Sequence, residues 1–305
     1  MRALSIGFDT SNYTTSCAVF DGMMGENSGR LLDVPEGALG LRQSDALFSH
    51  VKRLPEVFEG LDLDGRVVSV AASSQPREEP GSYMPCFLAG VCQAKVLAAA
   101  LHVPYFEFSH QQGHIAAAAW SAGRYELLDA PHLAWHLSGG TTELLYVTPK
   151  GSGVTCEIIG GTSDVSAGQV IDRAGQMLGI GFPSGRALDD AAVSCGKGGF
   201  YCPKTEGLSF SLSGVEHKAK SMIEKGALCE DAAYFVLMSV AKTVEAVTKR
   251  ALSECGDIPV LFSGGVSSSR LLRGVLDFGI FAAGAYSVDN ALGVAILSHR
   301  AVKAL

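Results

Sequence analysis

Two histidines four residues apart, His110 and His114, have the spacing in this 305-residue chain that most clearly suggests chemistry. They are followed by residues 115–120, an alanine-rich run that favours a helix. Positions i and i+4 lie on one face of a helix, so both imidazoles could reach one divalent cation. The residues between them are Gln, Gln and Gly, so the general-base glutamate of zinc proteases is absent. The spacing also fits two partly buried histidines that each bond a carbonyl group.

The composition is that of a folded protein with an acidic charge balance. Hydrophobic residues make up 47% of the chain and charged residues 18%, which is ample material for a core, and the length suits about two domains. Lys and Arg together number 24 against 31 Asp and Glu, for a net charge of -7. That balance excludes a protein that holds nucleic acid alone by neutralising phosphates. An RNA partner would need another subunit or a local basic patch.

The eight cysteines include no CxxC pair, so the sequence predicts neither a zinc ribbon nor a thioredoxin-like site. Free thiols in a reducing cytoplasm are the expected state. The N-terminus has no unbroken apolar run, since Asp9 and Asn12 interrupt it, and no later stretch reaches the length of a membrane span. We therefore expect a soluble cytoplasmic protein with no membrane partner.

A strand, a polar turn and a second strand occur twice in the sequence. Residues 3–8 and 16–20 flank the turn at 9–15, and residues 133–137 and 143–147 flank the turn at 138–142. Turns rich in hydroxyls and glycine present backbone N–H groups to an anion. Two copies, roughly half a chain apart, indicate an internal duplication with two similar lobes.

The rest of the chain alternates between predicted strands and helices, which is the pattern of an α/β protein. Besides the two-histidine helix, helices are expected at residues 39–60, 87–101, 163–178, 186–192, 232–255 and 271–276. Strands are expected at residues 67–72, 102–106, 157–159, 209–214 and 258–262. Pro55 should kink or shorten the first helix, and Asp289 is expected at a helix N-cap.

A second glycine turn, at residues 263–270, follows the buried strand 258–262 and precedes a helix. A glycine turn delivered to a helix N-terminus can hold the phosphates of a nucleotide. An ordinary loop between a strand and a helix would also be glycine-rich, so the pattern leaves both interpretations open.

The order of these motifs resembles the TsaD (Gcp) family, the tRNA N6-threonylcarbamoyladenosine transferases, formerly described as O-sialoglycoprotein endopeptidases of peptidase family M22. The resemblance runs through residues 9–11, 110–114, 137–142, the helix that carries Asp172, and residues 183–189, 210–214, 263–270 and 289–290. It implies the actin-like ATPase (ASKHA) fold, with two duplicated α/β lobes and a central cleft. The N-terminal lobe, with the two-histidine helix, would span residues 1–128. The C-terminal lobe, with the nucleotide-binding glycine turns, would span residues 129–305.

The resemblance also implies a metal centre and a nucleotide site. One divalent ion, iron or zinc, would be bound by His110, His114 and Asp289, with coordination positions left open for phosphate or carbamoyl oxygens. The ligand would be ATP, AMP or an acyl-adenylate. Its phosphate would contact Leu137, Ser138, Gly139 and Gly140, and its ribose would bond Asp172. The nucleoside pocket would be lined by Gly185 and Asp189, and the adenine end by Gly264, Gly265 and Ser269.

The reaction that the resemblance implies is acyl transfer. A threonylcarbamoyl group would pass from its AMP anhydride to the adenosine beside the tRNA anticodon. Members of the family commonly need small accessory protein subunits, so tRNA would be reached through a complex.

The sequence departs from the family pattern in its first motif. That motif usually reads Glu-Thr-Ser-Cys-Asp-Glu-Thr, whereas residues 9–15 read Asp-Thr-Ser-Asn-Tyr-Thr-Thr, so both acidic residues after the cysteine are missing. They would be candidates for a catalytic base, and no catalytic residue is assigned in their place. Thr141 stands where a histidine is expected, Ser269 stands where an asparagine is expected, and residues 76–85 replace a Gly-Pro-Gly loop. This pattern suggests a paralogue whose acceptor substrate has changed.

Three functions are therefore open. The first is the metal-dependent transfer of a threonylcarbamoyl or related carbamoyl group. The second is a nucleotide-binding paralogue without catalysis or with another substrate. The third, a peptidase, ranks last because no glutamate lies between the histidines and no Ser-His-Asp grouping is evident.

Overall fold

The computed structural model describes residues 1–11, 13–33, 41–79, 81–195 and 198–305. Its strands are β1 (Ala3–Asp9), β2 (Thr14–Phe20), β3 (Gly25–Leu31), β4 (Arg66–Gln75), β5 (Tyr105–Ser109), β6 (His132–Leu137), β7 (Thr142–Lys150), β8 (Gly153–Thr162), β9 (Thr205–Glu206), β10 (Ser209–Phe210), β11 (Val260–Ser263) and β12 (Ile280–Phe281). Its α-helices are α1 (Gln43–Glu59), α2 (Phe87–Leu101), α3 (His110–Ser121), α4 (Ala167–Met177), α5 (Gly185–Cys195), α6 (Ser213–Glu224), α7 (Cys229–Cys255), α8 (Arg270–Val275) and α9 (Leu292–Lys303). Within the described ranges, none of the helices has both the length and the apolar character that crossing a membrane requires.

The chain forms two compact units. Unit 1 comprises Met1–Ala130, Thr148–Cys156 and Val288–Leu305, and unit 2 comprises Pro131–Val147 and Glu157–Ser287. These units differ from the sequence-based division into 1–128 and 129–305, because the chain returns to unit 1 twice. The two returning segments are held by their packing: Gln112 donates to the Val154 carbonyl group at 2.6 Å, and α9 packs on β1 and β4.

Unit 1 is built on a five-stranded sheet in the order β3-β2-β1-β4-β5. β1 is antiparallel to β2 and parallel to β4, and β5 is parallel to β4. The alternation of side chains along β1 separates the two faces of the sheet. Ile6 and Phe8 lie in the apolar core formed with α1 and α2, whereas Ser5 and Gly7 face α9.

A chain of buried polar side chains joins α9 to this sheet. Ser298 donates to Ser69 at 2.8 Å, Ser69 donates to Ser5 at 2.8 Å, and Ser5 Oγ lies 3.1 Å from Nδ1 of His299. All four side chains are at most 3% exposed. Because buried polar groups need hydrogen-bond partners, this chain fixes the position of α9 on β1 and β4.

Unit 2 repeats the strand order of unit 1. Its sheet has the order β12-β11-β6-β7-β8-β10-β9, and the run from β8 to β12 matches the run from β3 to β5. β6 is antiparallel to β7 and parallel to β11, and β11 is parallel to β12, as for the corresponding strands of unit 1. The duplication that the two strand–turn–strand motifs predicted is therefore present in the topology.

The core of unit 2 surrounds Trp135 on β6, which is fully buried. Its Nε1–H donates to the Thr248 hydroxyl on α7 at 2.8 Å, so the one polar atom of the side chain has a partner. Leu137, the last residue of the same strand, is also fully buried. The turn that follows Leu137 thus starts from a rigid strand end.

Several sequence-based boundaries were wrong. The first helix begins at Gln43 and runs through Pro55 to Glu59 without ending there, and its predicted start at residue 39 lies outside the described residues. The strand expected at 209–214 is shortened to β10, because α6 begins at Ser213. Asp289 is not an N-cap: α9 begins at Leu292, and Asn290 Oδ1 accepts the Leu292 N–H at 3.1 Å.

Candidate functional site

The two histidines lie at the start of α3 because Ser109 and Gln112 form a capping box. Ser109 Oγ accepts the Gln112 N–H at 3.2 Å, and Gln112 Oε1 accepts the Ser109 N–H at 2.7 Å. The Gln112 amide also donates to the Val154 carbonyl group. Gln112 therefore fixes the start of the helix. His110 is the first residue of α3, and His114 lies one turn later on the same face.

Asp289 reaches the histidines because α9 crosses α3 in direct backbone contact. A Cβ on Gly293 would lie 1.8 Å from the Gly113 carbonyl oxygen, so only glycine permits this crossing. Gly113 lies between the two histidines, and Asp289 lies just before α9. Gly293 is thus a packing requirement of the crossing, whereas a Cβ on Gly113 would lie 3.3 Å from Val294 Cγ1.

The ligand atoms of the three predicted metal-binding residues come together. Nε2 of His110 and Nε2 of His114 are 2.8 Å apart, and each lies 3.4 Å from Oδ1 of Asp289. The side chains of His110, His114 and Asp289 are 18%, 13% and 29% exposed. The cluster is therefore largely enclosed, and it remains accessible to solvent.

A divalent ion fits this set of donor atoms. In tetrahedral geometry, ligand bonds of about 2.1 Å place neighbouring ligand atoms about 3.4 Å apart, which matches the two histidine–aspartate separations. The histidine–histidine separation would have to open by about 0.6 Å. Two imidazoles and one carboxylate suit zinc or iron, whereas magnesium and calcium prefer oxygen ligands.

Behind the cluster, the buried carboxylate of Asp9 contacts His110. Asp9 Oδ2 accepts from the Ser73 hydroxyl and lies 2.8 Å from His110 Nδ1. Asp9 Oδ1 accepts from the N–H of Ser11 at 2.9 Å and from its hydroxyl at 2.5 Å. Asp9 belongs to the first motif, and its position in the sequence did not predict this contact. The available signal was an acidic residue at the end of an otherwise buried strand.

The charges of the cluster change its affinity for protons. Burial lowers the pKa of His110, but the Asp9 and Asp289 carboxylates outweigh burial and raise that pKa to about 10. Burial raises the pKa of Asp289, and the bonds and charges of His110 and His114 outweigh it and hold the pKa well below its usual range. Because a metal ligand must present a lone pair, a cation at Nε2 of His110 would displace a proton from that atom.

Unit 2 contains a cavity of about 730 Å³, and most of the residues predicted to bind the nucleotide line it. The predicted residues that line it are Gly139, Asp172, Gly185, Asp189, Gly265 and Ser269. The predicted residues that do not line it are Leu137, Ser138, Gly140 and Gly264. Its volume lies in the usual range of small-molecule sites, about 300–1,000 Å³.

The turn after β6 is closed by Ser138. Its N–H donates to the Thr141 carbonyl at 2.9 Å, and its hydroxyl accepts the Thr141 N–H at 3.0 Å. Gly139 and Gly140 have open space where a Cβ would lie. A Cβ on Gly168 would lie 2.6 Å from the Gly139 Cα, so the start of α4 packs directly against the turn. Backbone N–H groups of a turn beside a helix N-terminus form an arrangement that binds anions.

The turn after β11 contains two glycines with different surroundings. Gly264 has a φ of +88°, and a Cβ there would lie 2.2 Å from the Leu137 carbonyl oxygen. Gly265 lines the cavity and has open space at the same position. Gly264 therefore packs the turn against β6, and Gly265 presents backbone to the cavity.

Asp189 lines the cavity, but both oxygens of its carboxylate accept hydrogen bonds from neighbouring residues of the protein. Oδ1 accepts from the Ser269 hydroxyl at 2.6 Å and from the Leu271 N–H at 3.3 Å, and Oδ2 accepts from the Arg270 N–H at 3.1 Å and from Arg270 Nε at 3.0 Å. Burial raises the pKa of Asp189, and these bonds outweigh it and lower the pKa. Asp189 thus anchors the start of α8, where Ser269 is the N-cap.

The cavity lining also includes residues that the sequence reasoning did not single out. Phe182 is 75% exposed, and Arg186 and Arg270 bring positive charge to the lining. Asp172 presents a carboxylate there while Oδ1 accepts the Ser184 N–H at 2.8 Å. An aromatic residue in the glycine-rich loop at 181–185 was the available signal for Phe182.

The family model described as tRNA N6-adenosine threonylcarbamoyltransferase, TsaD, matches residues 70–295, which include His110, His114 and Asp289. The chain belongs to the TsaD family. A protein of that name from Limosilactobacillus reuteri (strain DSM 20016) is 30% identical over 294 residues, which cover 90% of this chain and 82% of the relative. Another, from Thermus thermophilus (strain ATCC BAA-163 / DSM 7039), is 35% identical over 240 residues, which cover 73% of this chain and 68% of that relative.

Solved structures show the fold that was expected. Full-length HypF in its phosphate- and nucleotide-bound form resembles the chain with a TM-score of 0.62 and 15% identity, over 99% of this chain and 55% of HypF. At this identity the likeness establishes the fold alone. The fold is the actin-like ATPase fold, with the duplicated α/β arrangement described above.

The first turn of this TsaD family member carries no carboxylate at positions 13 to 15, and Asn12 lies outside the described residues. Thr15 is fully buried, and its hydroxyl lies 2.8 Å from Nδ1 of the buried His50. Asp9, at the start of the turn, already accepts four hydrogen bonds. Positions 13 to 15 therefore offer no general base of the carboxylate type.

Proposed function

We propose that the protein transfers a threonylcarbamoyl group, or a related carbamoyl group, from its acyl-adenylate to an acceptor amine. By family resemblance, the acceptor is N6 of the adenosine beside the tRNA anticodon. The observation that carries the proposal is the convergence of His110, His114 and Asp289 in a chain of the TsaD family.

The three converging side chains hold one divalent ion in this proposal, either iron or zinc. When bound, such an ion supplies Lewis-acid polarisation of a phosphate or carbamoyl oxygen. The protein's part is to keep the donors in place. Asp9 contacts His110, and the backbone crossing of α3 and α9 fixes the segment that carries Asp289.

The AMP part of the substrate occupies the cavity of unit 2 in this proposal. The open backbone at Gly139 receives the phosphate, since N–H groups of a turn beside a helix start attract anions. Asp172 accepts a ribose hydroxyl with its carboxylate. Phe182, exposed at the cavity, stacks on the adenine base, because every base presents a π-face to an aromatic ring.

The proposed reaction forms a bond between the acceptor nitrogen and the carbamoyl carbon. The bond from that carbon to the phosphate oxygen breaks, AMP leaves with the electron pair, and the proton that the amine loses passes to the solvent. Asp9 does not take this proton while it accepts four hydrogen bonds. The proposal therefore assigns no general base to the first motif.

The acceptor is reached through a complex in this proposal. A net charge of -7 gives the chain little attraction of its own for the phosphates of RNA. We infer that small accessory protein subunits contribute the basic surface that places tRNA.

The test combines metal analysis with turnover. Wild type, His110→Ala and the control His217→Ala, which alters an exposed histidine on α6, are analysed for bound iron and zinc and titrated with ATP and AMP. Each is then assayed for threonylcarbamoyladenosine in tRNA, with accessory subunits added. We expect wild type and the control to bind a stoichiometric ion and to modify tRNA. His110→Ala should lose both properties and still bind AMP.

A second candidate, a paralogue that does not modify tRNA, is favoured by the first turn, where positions 13 to 15 are Tyr, Thr and Thr. It predicts normal metal and nucleotide binding without modified tRNA, in the assay and in a strain that lacks the housekeeping enzyme. A peptidase remains the least favoured function, since no glutamate lies between the histidines to act as a general base. Gln112, which does lie between them, caps the start of α3. Glycoprotein cleavage by wild type, lost in His110→Ala, would reverse that order.

A further inference from the structure

We propose that Asp9 is a positioning residue of the metal centre: it holds the His110 imidazole so that Nε2 points at the ion. The inference rests on the metal-binding part of the proposed function. It concerns a residue outside the ligand set and assigns it a defined task.

The bonding of Asp9 leaves its carboxylate a single arrangement. Oδ1 accepts two hydrogen bonds from Ser11, and Oδ2 accepts one from Ser73 and one from His110. A carboxylate has about four lone-pair directions, so every direction is used. With 1% of the residue exposed, water does not compete for these bonds.

The elements that carry these residues are rigid. Asp9 ends β1, and Ser73 lies on β4, its parallel neighbour, one residue beyond the Phe8–Ala72 pair of the register. His110 is the first residue of α3, whose start is fixed by its capping box. Neither the carboxylate nor the helix start can move without breaking sheet or cap bonds.

This arrangement determines which nitrogen of His110 is free to bind a metal. An ionised carboxylate only accepts hydrogen bonds, so Nδ1 of His110 must carry the proton in the 2.8 Å contact with Asp9. The lone pair of the neutral ring is then on Nε2, the atom that faces His114 and Asp289. Carboxylate partners of this kind orient metal-binding histidines and raise their basicity.

The variant Asp9→Asn tests the proposal because it keeps the size of the side chain and reverses the direction of the hydrogen bond between residue 9 and Nδ1 of His110. The Ser11 backbone N–H can only donate, so the amide oxygen must face Ser11 and the amide nitrogen must face His110. Nδ1 of His110 then accepts, and the proton moves to Nε2, where it blocks the metal.

The experiment compares the wild-type protein with Asp9→Asn, Ser73→Ala and Ser239→Ala. Ser239→Ala is the matched control, since Ser239 is a fully buried serine on α7 of unit 2 whose bonds go to Phe235 and Tyr201. Zinc and cobalt affinities are measured by competition with a chelator, and thermal unfolding is recorded for each protein.

We expect Asp9→Asn to bind zinc about 10- to 100-fold more weakly than wild type, the usual effect of removing such a partner. Ser73→Ala, which removes one of the two hydrogen bonds to Oδ2 of Asp9, should weaken binding less, and Ser239→Ala should not weaken it. Long-range ¹H–¹⁵N correlations of ¹⁵N-histidine protein, recorded without metal for both proteins, should show a proton on Nδ1 of His110 in wild type and on Nε2 alone in Asp9→Asn. A role in stability alone would not move that proton.

Equal zinc affinity in Asp9→Asn and wild type would overturn the inference, as would an unchanged Nδ1 proton. If Asp9→Asn fails to fold, Ser73→Ala decides: a zinc affinity equal to that of Ser239→Ala refutes the positioning role. Wild type that binds no transition metal refutes the proposed metal centre itself, which is a different outcome from wild-type binding that Asp9→Asn leaves unchanged.

Discussion

Replacing Gly264 by alanine should destabilise unit 2 far more than the same change at its neighbour Gly265. Gly264 has a φ of +88°, and left-handed backbone costs an L-residue roughly 1–2 kcal/mol. The new Cβ would also lie 2.2 Å from the Leu137 carbonyl oxygen, and relief by a backbone shift costs about 1–3 kcal/mol. The sum is a loss of about 2–5 kcal/mol. Gly265 has open space and no positive φ, so its change should stay within about 0.5 kcal/mol.

The fluorescence of one tryptophan can follow unit 2 by itself. The chain has two tryptophans, Trp120 in unit 1 and the fully buried Trp135 in unit 2. In a Trp120→Phe background, the red shift of Trp135 emission in urea reports the unfolding of unit 2. With a slope of about 2 kcal/mol per M, the expected loss in Gly264→Ala lowers the urea midpoint by about 1–2.5 M.

Two results would refute the reasoning on Gly264. One is a Gly264→Ala midpoint that equals that of the background protein, because the turn would then tolerate a Cβ without strain. The other is an equal loss in Gly265→Ala, because the damage would then reflect the turn as a whole and not the contact with Leu137.

Three further predictions concern other residues. Burial, and then the charge of Lys303, lowers the pKa of His299, so the unfolded chain binds that proton more readily, and stability should fall as pH drops below about 6.5. Thermal unfolding at about pH 7 and about pH 5 should show a larger loss for wild type than for His299→Gln. Asp189→Asn removes an acceptor of four bonds at the start of α8 and should cost about 1–3 kcal/mol in urea unfolding, with Asp190→Asn as the milder control. Phe182→Ala should weaken AMP binding by about 1–3 kcal/mol in calorimetric titration and leave the urea midpoint unchanged, since the side chain is exposed; unchanged affinity would exclude stacking.

The histidine pair could be predicted from local sequence, whereas the position of Asp289 could not. The i, i+4 spacing and the helix-forming run after His114 are local features, and both predict a shared face. Asp289 arrives through the contact of Gly293 with Gly113, two glycines far apart in the chain. No periodicity records such a crossing, so the resemblance to a family was needed to join Asp289 to the histidines.

The duplicated architecture was predictable, and its edge strand was not. Apolar runs on either side of hydroxyl-rich turns predicted the four strands β1, β2, β6 and β7. β3 reads Gly-Glu-Asn-Ser-Gly-Arg-Leu, without alternation of apolar residues, because it lies at the sheet edge and is largely exposed. Likewise, the different surroundings of Gly264 and Gly265 depend on where β6 ends, which the sequence of the turn does not contain.

The return of residues 288–305 to unit 1 has a consequence for how the protein is made. A ribosome releases His110 and His114 long before Asp289, and all of unit 2 emerges in between. A fragment that stops at residue 130 leaves Ser5 and Ser69 without α9 and the two histidines without Asp289. The proposed ligand set of the metal site therefore cannot be complete in a nascent chain until Asp289, and with it all of unit 2, has been translated.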